Sequence, residues 1–165
     1  MQLPSSQAFQ STCSPKDAIP YSSEAMGQDL QRVRMAWRKC QSRRGRDAIY
    51  RYLNAVYGLV AWWAAEGRDV DRARRALRLQ RLEVFDREDP FAAVIRCTAD
   101  PDKADKRTRS KWSRIMRYAA MRKPEAEPFE LFVKRKGGIN ACAVRFSRRL
   151  GRGQATSSQR RSAAG

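Results

Sequence analysis

Apolar residues recur every three or four positions along most of this chain, which is the spacing of an amphipathic helix. The strongest stripe follows Asp47 and runs through Leu53, Val56, Val60 and Trp63. Its width predicts a helix at the centre of a bundle. No alternating apolar and polar run is long enough to predict a strand. The pattern therefore predicts an all-α fold, a single small bundle of about six or seven helices.

Cap residues, prolines and glycines divide this pattern into its helices. The predicted helices run from Ser22 or Ser23 to near Gly45, from Asp47 to Gly67, from Asp69 to about Leu82, from Asp89-Pro90 through Ile95, from Asp100-Pro101 to Met121, from Phe129 to Lys136 and from Asn140 to Leu150. Residues 1–21 and 151–165 contain many small and polar residues, which predicts disordered tails. One helical domain is expected between them, at residues 22–150.

Composition indicates a class of partner for this protein, and it also excludes several kinds of catalytic site. The chain has 35 Lys+Arg against 17 Asp+Glu, a net charge of +18, which favours a polyanion such as nucleic acid, an anionic membrane or an acidic protein. The apolar stretch from Tyr52 to Ala65 is shorter than the roughly 20 residues of a membrane span, so no membrane partner is expected. Without histidine, the chain cannot form a Ser-His or Cys-His catalytic pair or a two-histidine zinc site. We expect no catalytic residue, cofactor or metal.

The cysteines and the N-terminus both indicate a reducing compartment. Cys13, Cys40, Cys97 and Cys142 are scattered without a C-x-x-C pair, which favours free thiols over a disulfide framework or a metal site. The segment from Met1 to Ser23 lacks the basic start and apolar stretch of a secretory signal. A cytoplasmic location is therefore expected.

Positive charge is concentrated in the C-terminal part of the chain. Residues 46–99 mix both signs, Asp105 is the only acid within residues 103–122, and no acid follows Lys134. On the predicted helices of this part, apolar residues share one face and cations occupy the other. On the last helix, the predicted inward face consists of Ile139, Ala143, Phe146 and Leu150. The candidate phosphate-binding cations are Lys106, Arg107, Arg114, Arg117, Arg145, Arg148, Arg149 and Arg152. Contact of about six to eight cations with phosphates predicts a log-log salt slope of about −5 to −7.

Residues 129–150, FELFVKRKGGINACAVRFSRRL, combine a helix, a short glycine turn and a second helix. This pattern resembles the helix-turn-helix of bacterial DNA-binding proteins. The resemblance implies that the helix beginning at Asn140 enters a major groove, and it also favours a homodimer. It places Val144 at a normally buried position, and a staple of Ile139 and Val144 around an Asn140 cap is expected. The implied base contacts are Ala141, Arg145 and Arg148, with Arg149 and Arg152 on phosphates.

The helix pair also has a purely structural interpretation, because a helical hairpin can simply close the bundle. Gly137-Gly138 likewise either stops a helix or lets the backbone approach a phosphate. Trp37 and Trp112 lie among cations, but both occupy apolar stripes, so core packing is favoured over stacking on bases.

Three functional hypotheses follow from these features. The first is a non-enzymatic nucleic-acid-binding protein, for duplex DNA rather than RNA, with a regulatory or accessory role. The alternative is a basic protein-interaction module that docks an acidic partner or a ribosomal assembly. The third is an enzyme that acts on phosphates through arginine and the tyrosines Tyr50, Tyr52 and Tyr57.

Overall fold

A computed structural model describes residues 21–43, 45 and 47–162, with side chains described up to residue 150. These residues form seven α-helices and no strand, which confirms the predicted all-α bundle. The helices are α1 (Ser23–Ser42), α2 (Ala48–Ala65), α3 (Asp69–Leu79), α4 (Pro90–Thr98), α5 (Lys106–Arg122), α6 (Phe129–Arg135) and α7 (Gly138–Ser162). None of them is long and apolar enough to cross a membrane.

Helix α2 lies at the centre of the bundle, as its wide apolar stripe predicts. It contacts α1, α3, α4, α5 and α6, and Leu53 and Val56 are completely buried. An aromatic cluster joins α2 to α1 and α5: the ring centroids of Trp37 and Trp112 lie 5.0 Å and 5.8 Å from that of Tyr52. Both tryptophans are buried, which confirms their predicted role in the core.

Several helix ends follow directly from local sequence. Ser22 caps α1, with its Oγ accepting from the Ala25 N–H at 3.0 Å. Asp89 caps α4, where Pro90 occupies the first turn and the carboxylate accepts from the Phe91 N–H at 3.3 Å. Gly67 follows α2 with φ +67°, a conformation that favours glycine.

The predicted start of α5 after Asp100-Pro101 is wrong. Asp100 caps only a turn, accepting from the Asp102 N–H at 3.0 Å. The helix begins after Asp105, whose carboxylate accepts from the Thr108 N–H at 2.7 Å, and this hydrogen bond lowers the pKa of Asp105. Both aspartates satisfy the local rules for a cap, so the sequence pattern did not distinguish them.

Helix α7 differs from its prediction at both ends. It begins at Gly138 rather than Asn140. Gly137 and Gly138, with φ +89° and +86°, reverse the chain directly after α6, so no further turn residues are needed before α7. It continues past Leu150 to Ser162, although this segment contains Gly151 and Gly153, and glycine is a poor helix former. The predicted tail at residues 1–21 lies outside the described residues except for Tyr21, and so do residues 163–165.

The packing of α7 is directed mainly at α5 and only secondarily at α6. Cys142, Ala143 and Phe146 form its buried face. The prediction that Leu150 belongs to this face is wrong, since the residue is 47% exposed. The end of the buried stripe at Phe146 marks where α7 leaves the core.

Candidate nucleic-acid interface

A groove with a volume of about 380 Å³ runs between α5 and α7. We call it the α5–α7 groove. It is lined by Arg107, Lys111 and Arg114 of α5 and by Asn140, Ala143, Val144, Ser147 and Arg148 of α7. Its lining contains four cationic side chains and no carboxylate.

Helical spacing explains why these side chains meet. Arg107, Lys111 and Arg114 are separated by four and three positions, so they lie on one side of α5. Asn140, Val144 and Arg148 follow each other at four positions on α7. The two stripes face each other because α5 and α7 pack side by side.

Arg114 joins the two walls of the groove. Its Nη1 donates to Ser147 Oγ at 2.9 Å and its Nε donates to the Ser110 carbonyl at 3.3 Å. Ser147 Oγ in turn donates to the Ala143 carbonyl at 3.1 Å. All these acceptors are neutral, so the guanidinium is held in position while its charge is not neutralised.

The floor of the groove is partly apolar. Ala143 is buried, and Val144 is 47% exposed, so the expectation that Val144 is buried is wrong. Cys142 and Phe146 face the core. Val144 lies two positions from each of them, and because a helix turns about 100° per residue, its side chain points to the opposite side. Asn140 lies inside α7 rather than before it, so the predicted staple around an Asn140 cap is also wrong.

The remaining sequence candidates lie outside the groove. Lys106 lines a second pocket on a neighbouring side of α5. Arg117 places its guanidinium carbon 4.8 Å from the ring centroid of Phe146, and Arg145 donates to the Lys136 carbonyl. Arg149 is exposed and Ala141 is half-buried. The side chain of Arg152 is outside the described residues.

The structure therefore brings together Arg107, Arg114, Asn140 and Arg148 from the candidate set. It adds Lys111, which the candidate set omits although its spacing from Arg107 and Arg114 places it on the same helix side. Nothing in local sequence pairs this stripe with α7, because that contact depends on packing across residues far apart in the chain.

Among the described residues, none of the groove cations lies within ion-pair distance of a carboxylate. The basic stretch after Glu130 is different. Lys134 Nζ lies 2.8 Å from Glu130 and 3.1 Å from Asp47, and Arg135 lies 2.6 Å from Glu127. The hydrogen bonds to Glu130 and Asp47 raise the pKa of Lys134, and the hydrogen bond from Arg135 lowers the pKa of Glu127. Part of the excess charge is thus paired within the protein, whereas the groove cations form no ion pair among the described residues; Asp105 interacts with Arg107 and Lys111 only at longer range.

The tyrosines and thiols lie apart from this groove. Tyr52 shares a hydrogen bond of 2.9 Å with the Thr98 hydroxyl, and burial raises the pKa of Tyr52. Burial also raises the pKa of Cys97 to about 12. The described cysteines Cys40, Cys97 and Cys142 are free thiols, and no metal-binding cluster occurs within the described part of the chain.

The α5–α7 groove combines positive charge with neutral hydrogen-bonding groups. It offers three guanidinium or ammonium groups on α5, and one guanidinium, a hydroxyl and an amide on α7. Such donors suit phosphate oxygens. No known protein family, curated protein or solved structure shows significant similarity to this chain.

Proposed function

We propose that this protein is a non-enzymatic nucleic-acid-binding protein that holds duplex DNA by its phosphates, in a regulatory or accessory role. The supporting observation is the α5–α7 groove, where four cations converge without a carboxylate. A cleft of one charge sign concentrates the electrostatic field and attracts the opposite charge.

The groove residues suit phosphate in complementary ways. A guanidinium makes two parallel hydrogen bonds to phosphate oxygens, and an ammonium acts as a mobile point charge. Arg107, Arg114 and Arg148 provide the first kind of contact and Lys111 the second. Because Arg114 is already held by Ser147, its ordering on binding costs less entropy than that of a free side chain.

The form of α7 supports duplex DNA as the partner. Its 25 residues correspond to a rod of about 37 Å at 1.5 Å per residue. Arg145, Arg148 and Arg149 are exposed along this rod. The major groove of B-DNA admits an α-helix, whereas the deep major groove of an RNA duplex does not admit side chains.

A second candidate is the docking of an acidic protein segment. The half-exposed Val144 and the neighbouring Ala143 provide an apolar surface that a phosphate backbone does not use. An acidic peptide with interspersed apolar residues has both properties, charge and apolar contact. A DNA duplex provides negative charge but no apolar group for contact with Val144 and Ala143 on the groove floor.

A salt titration of binding to duplex DNA, single-stranded DNA, RNA and an acidic peptide tests these functions. The double variant Lys111→Glu/Arg148→Glu reverses charge on both walls of the groove. Arg51→Glu/Arg78→Glu is the matched control, since it changes net charge equally at exposed positions of α2 and α3.

We expect the affinity of wild type for duplex DNA to fall with salt, with a log-log slope of about −3.6 or steeper. Four phosphate contacts contribute about −0.9 each to this slope. The groove variant should lose binding, and the control variant should keep most of it. Equal losses in both variants would contradict a role for the groove, because net charge alone would then explain binding. Binding of the acidic peptide without binding of DNA would support the second function.

A further inference from the structure

A second pocket lies beside α5, about a third of a turn around that helix from the α5–α7 groove. We call it the Phe85 pocket. Its volume is about 350 Å³, and it is lined by Phe85, Ala92, Arg96, Lys106, Arg109, Ser110 and Ser113. This volume is at the lower end of the range of small-molecule sites, about 300 to 1,000 Å³. The pocket therefore has room for a single planar ring system.

The aromatic wall of this pocket is exposed and held in place. Phe85 is 50% exposed, and the Arg96 guanidinium carbon lies 4.8 Å from its ring centroid. The buried carboxylate of Glu88 accepts from Arg96 Nη1 at 3.2 Å and from the Phe85 N–H at 3.1 Å. Arg96 Nη2 also donates to the Glu83 carbonyl at 2.8 Å. The ring and the guanidinium are thus ordered before any ligand binds, which reduces the entropy cost of binding.

The opposite wall carries cations without an acidic partner. Glu88 neutralises Arg96, but Lys106 and Arg109 are in no ion pair among the described residues. The Nε–H of Arg109 is buried and has no hydrogen-bond partner there. A buried donor without a partner costs free energy, and a ligand oxygen at this position would remove that cost.

Two hydroxyl groups complete the pocket, and only one is available. Ser113 Oγ donates to the Asp89 carboxylate, so its hydrogen is already used. Burial raises the pKa of that carboxylate, while the hydrogen bond from Ser113 opposes this shift. Ser110 is exposed, and its hydroxyl donates to no group among the described residues. An aromatic surface, two unpaired cations and a hydroxyl are the groups that recognise a nucleotide.

We propose that the Phe85 pocket binds one unpaired nucleotide of a nucleic acid whose phosphate backbone lies in the α5–α7 groove. This inference rests on the proposed function and makes it more specific. The base stacks on Phe85, and its phosphate contacts Lys106 and Arg109. Inside a duplex both faces of a base are already covered by its neighbours, so a base enters only from a single-stranded extension or after leaving the stack.

Proximity of the two sites supports a single ligand. Lys106 of the pocket and Arg107 of the groove are adjacent residues at the start of α5. A helix with its side chains is about 10–12 Å across, so one strand that passes over the first turn of α5 reaches both sites. The preferred ligand is therefore a duplex with a single-stranded extension.

Fluorescence anisotropy with three labelled probes tests this inference. The probes are a blunt duplex, the same duplex with an extension of unpaired thymidines, and the thymidine oligonucleotide alone. Phe85→Leu removes the aromatic ring and keeps an apolar side chain, and Phe85→Tyr keeps the ring. Leu131→Ala is the matched control, because Leu131 is another exposed apolar residue, at 57% exposure, and lies outside both sites.

We expect wild type to bind the extended duplex more tightly than the blunt duplex. Phe85→Leu should weaken binding of the extended duplex about tenfold, the order expected for loss of one base–aromatic stack. It should leave binding of the blunt duplex unchanged, and Phe85→Tyr and Leu131→Ala should resemble wild type. Phe85 is outside the buried core, so its substitution should leave the protein folded. Thermal unfolding of each variant checks this.

The two proposals fail in different ways. If Phe85→Leu binds the extended duplex as wild type does, while Lys111→Glu/Arg148→Glu loses it, the pocket proposal is overturned and the groove proposal stands. If wild type binds none of the probes at low salt, the proposed function is overturned, and the inference built on it falls with it.

Discussion

Arginine has different roles in the two parts of this bundle. In α1–α4 several arginines link elements of the protein, while others such as Arg51 and Arg78 are exposed. Among the linking arginines, Arg34 donates to the Cys97 carbonyl at 3.0 Å, Arg72 lies 2.5 Å from Glu66, and Arg96 is held by Glu88. In the α5–α7 groove, Arg107 and Arg148 have no carboxylate within ion-pair distance among the described residues. The same residue type thus stabilises the fold in one region and provides unneutralised charge in the other.

The difference shows that net charge is a poor guide to function until the internal partners are known. A buried or half-buried guanidinium needs acceptors, because its desolvation is otherwise costly. In α1–α4, carboxylates supply acceptors to Arg72 and Arg96, and the Cys97 carbonyl near the end of α4 supplies one to Arg34. The walls of the α5–α7 groove present only neutral groups between their cations, so charge remains available for a partner.

The largest effect is expected where a structural arginine loses its partner. Glu88→Ala removes the buried acceptor of Arg96 and of the Phe85 N–H, and should lower the free energy of unfolding by about 3 kcal/mol. Urea denaturation followed by circular dichroism measures this change. Arg148→Ala is the matched comparison and should change stability by less than about 0.5 kcal/mol. Equal stability of the two variants would contradict the view that Arg96 stabilises the fold and Arg148 does not.

The next effect concerns binding rather than stability. Arg148→Ala should weaken DNA binding by about 1 to 3 kcal/mol without loss of helicity, and should reduce the salt slope by about 1. The exposed Arg78 of α3 provides the control variant Arg78→Ala, for which we expect little change. Unchanged affinity of Arg148→Ala in a salt titration would exclude α7 from the interface.

A smaller effect tests the interpretation of the glycine turn that joins α6 to α7. Gly137→Ala should cost about 1 kcal/mol of stability or more, because φ is +89° and the added Cβ would lie 3.2 Å from the Cβ of Ala141. Gly27→Ala in α1 should instead stabilise by about 0.5 to 1 kcal/mol, since nothing lies within 4 Å of the added Cβ. Thermal unfolding of both variants measures the contrast. A stable Gly137→Ala protein with weakened DNA binding would favour the phosphate-approach interpretation.

The smallest effect is a change in the pH dependence of stability. Burial raises the pKa of Asp89 in the folded protein above the unfolded value of about 3.9. The folded state therefore binds more protons, and this group makes stability fall as pH rises from below the unfolded pKa to above the folded one. Asp89→Asn keeps an acceptor for Phe91 and Ser113 and removes that contribution. Denaturation curves across the acidic range should show that the stability of wild type falls relative to that of the variant as pH rises, and a constant difference between the two would contradict a raised pKa of Asp89.

Much of the fold was predictable because it is encoded in short stretches of sequence. The cap at Ser22, the Asp89-Pro90 start and the stop at Gly67 depend on backbone groups only a few residues away. The central position of α2 followed from the width of its apolar stripe. The same local rules failed at α5, where Asp100 and Asp105 are both acceptable caps.

The candidate interface was only partly predictable. Helical spacing on α5 already placed Arg107 and Arg114 on one side, and it could have added Lys111. The exposure of Val144 was not predictable from the resemblance, because burial depends on which side of α7 meets α5. The Phe85 pocket was missed altogether, since Phe85 belongs to no periodic stripe.

The sequence by itself determined the all-helical class, most helix starts and the excess of positive charge, because periodicity, caps and composition are local or additive properties. Only the tertiary structure decided which charges remain available. Lys134 pairs with Asp47 of a distant segment, while Arg148 and Arg107 line a groove to which the described residues contribute no acid. Ion pairing acts over a few ångströms in space, so it depends on how helices pack rather than on their order along the chain.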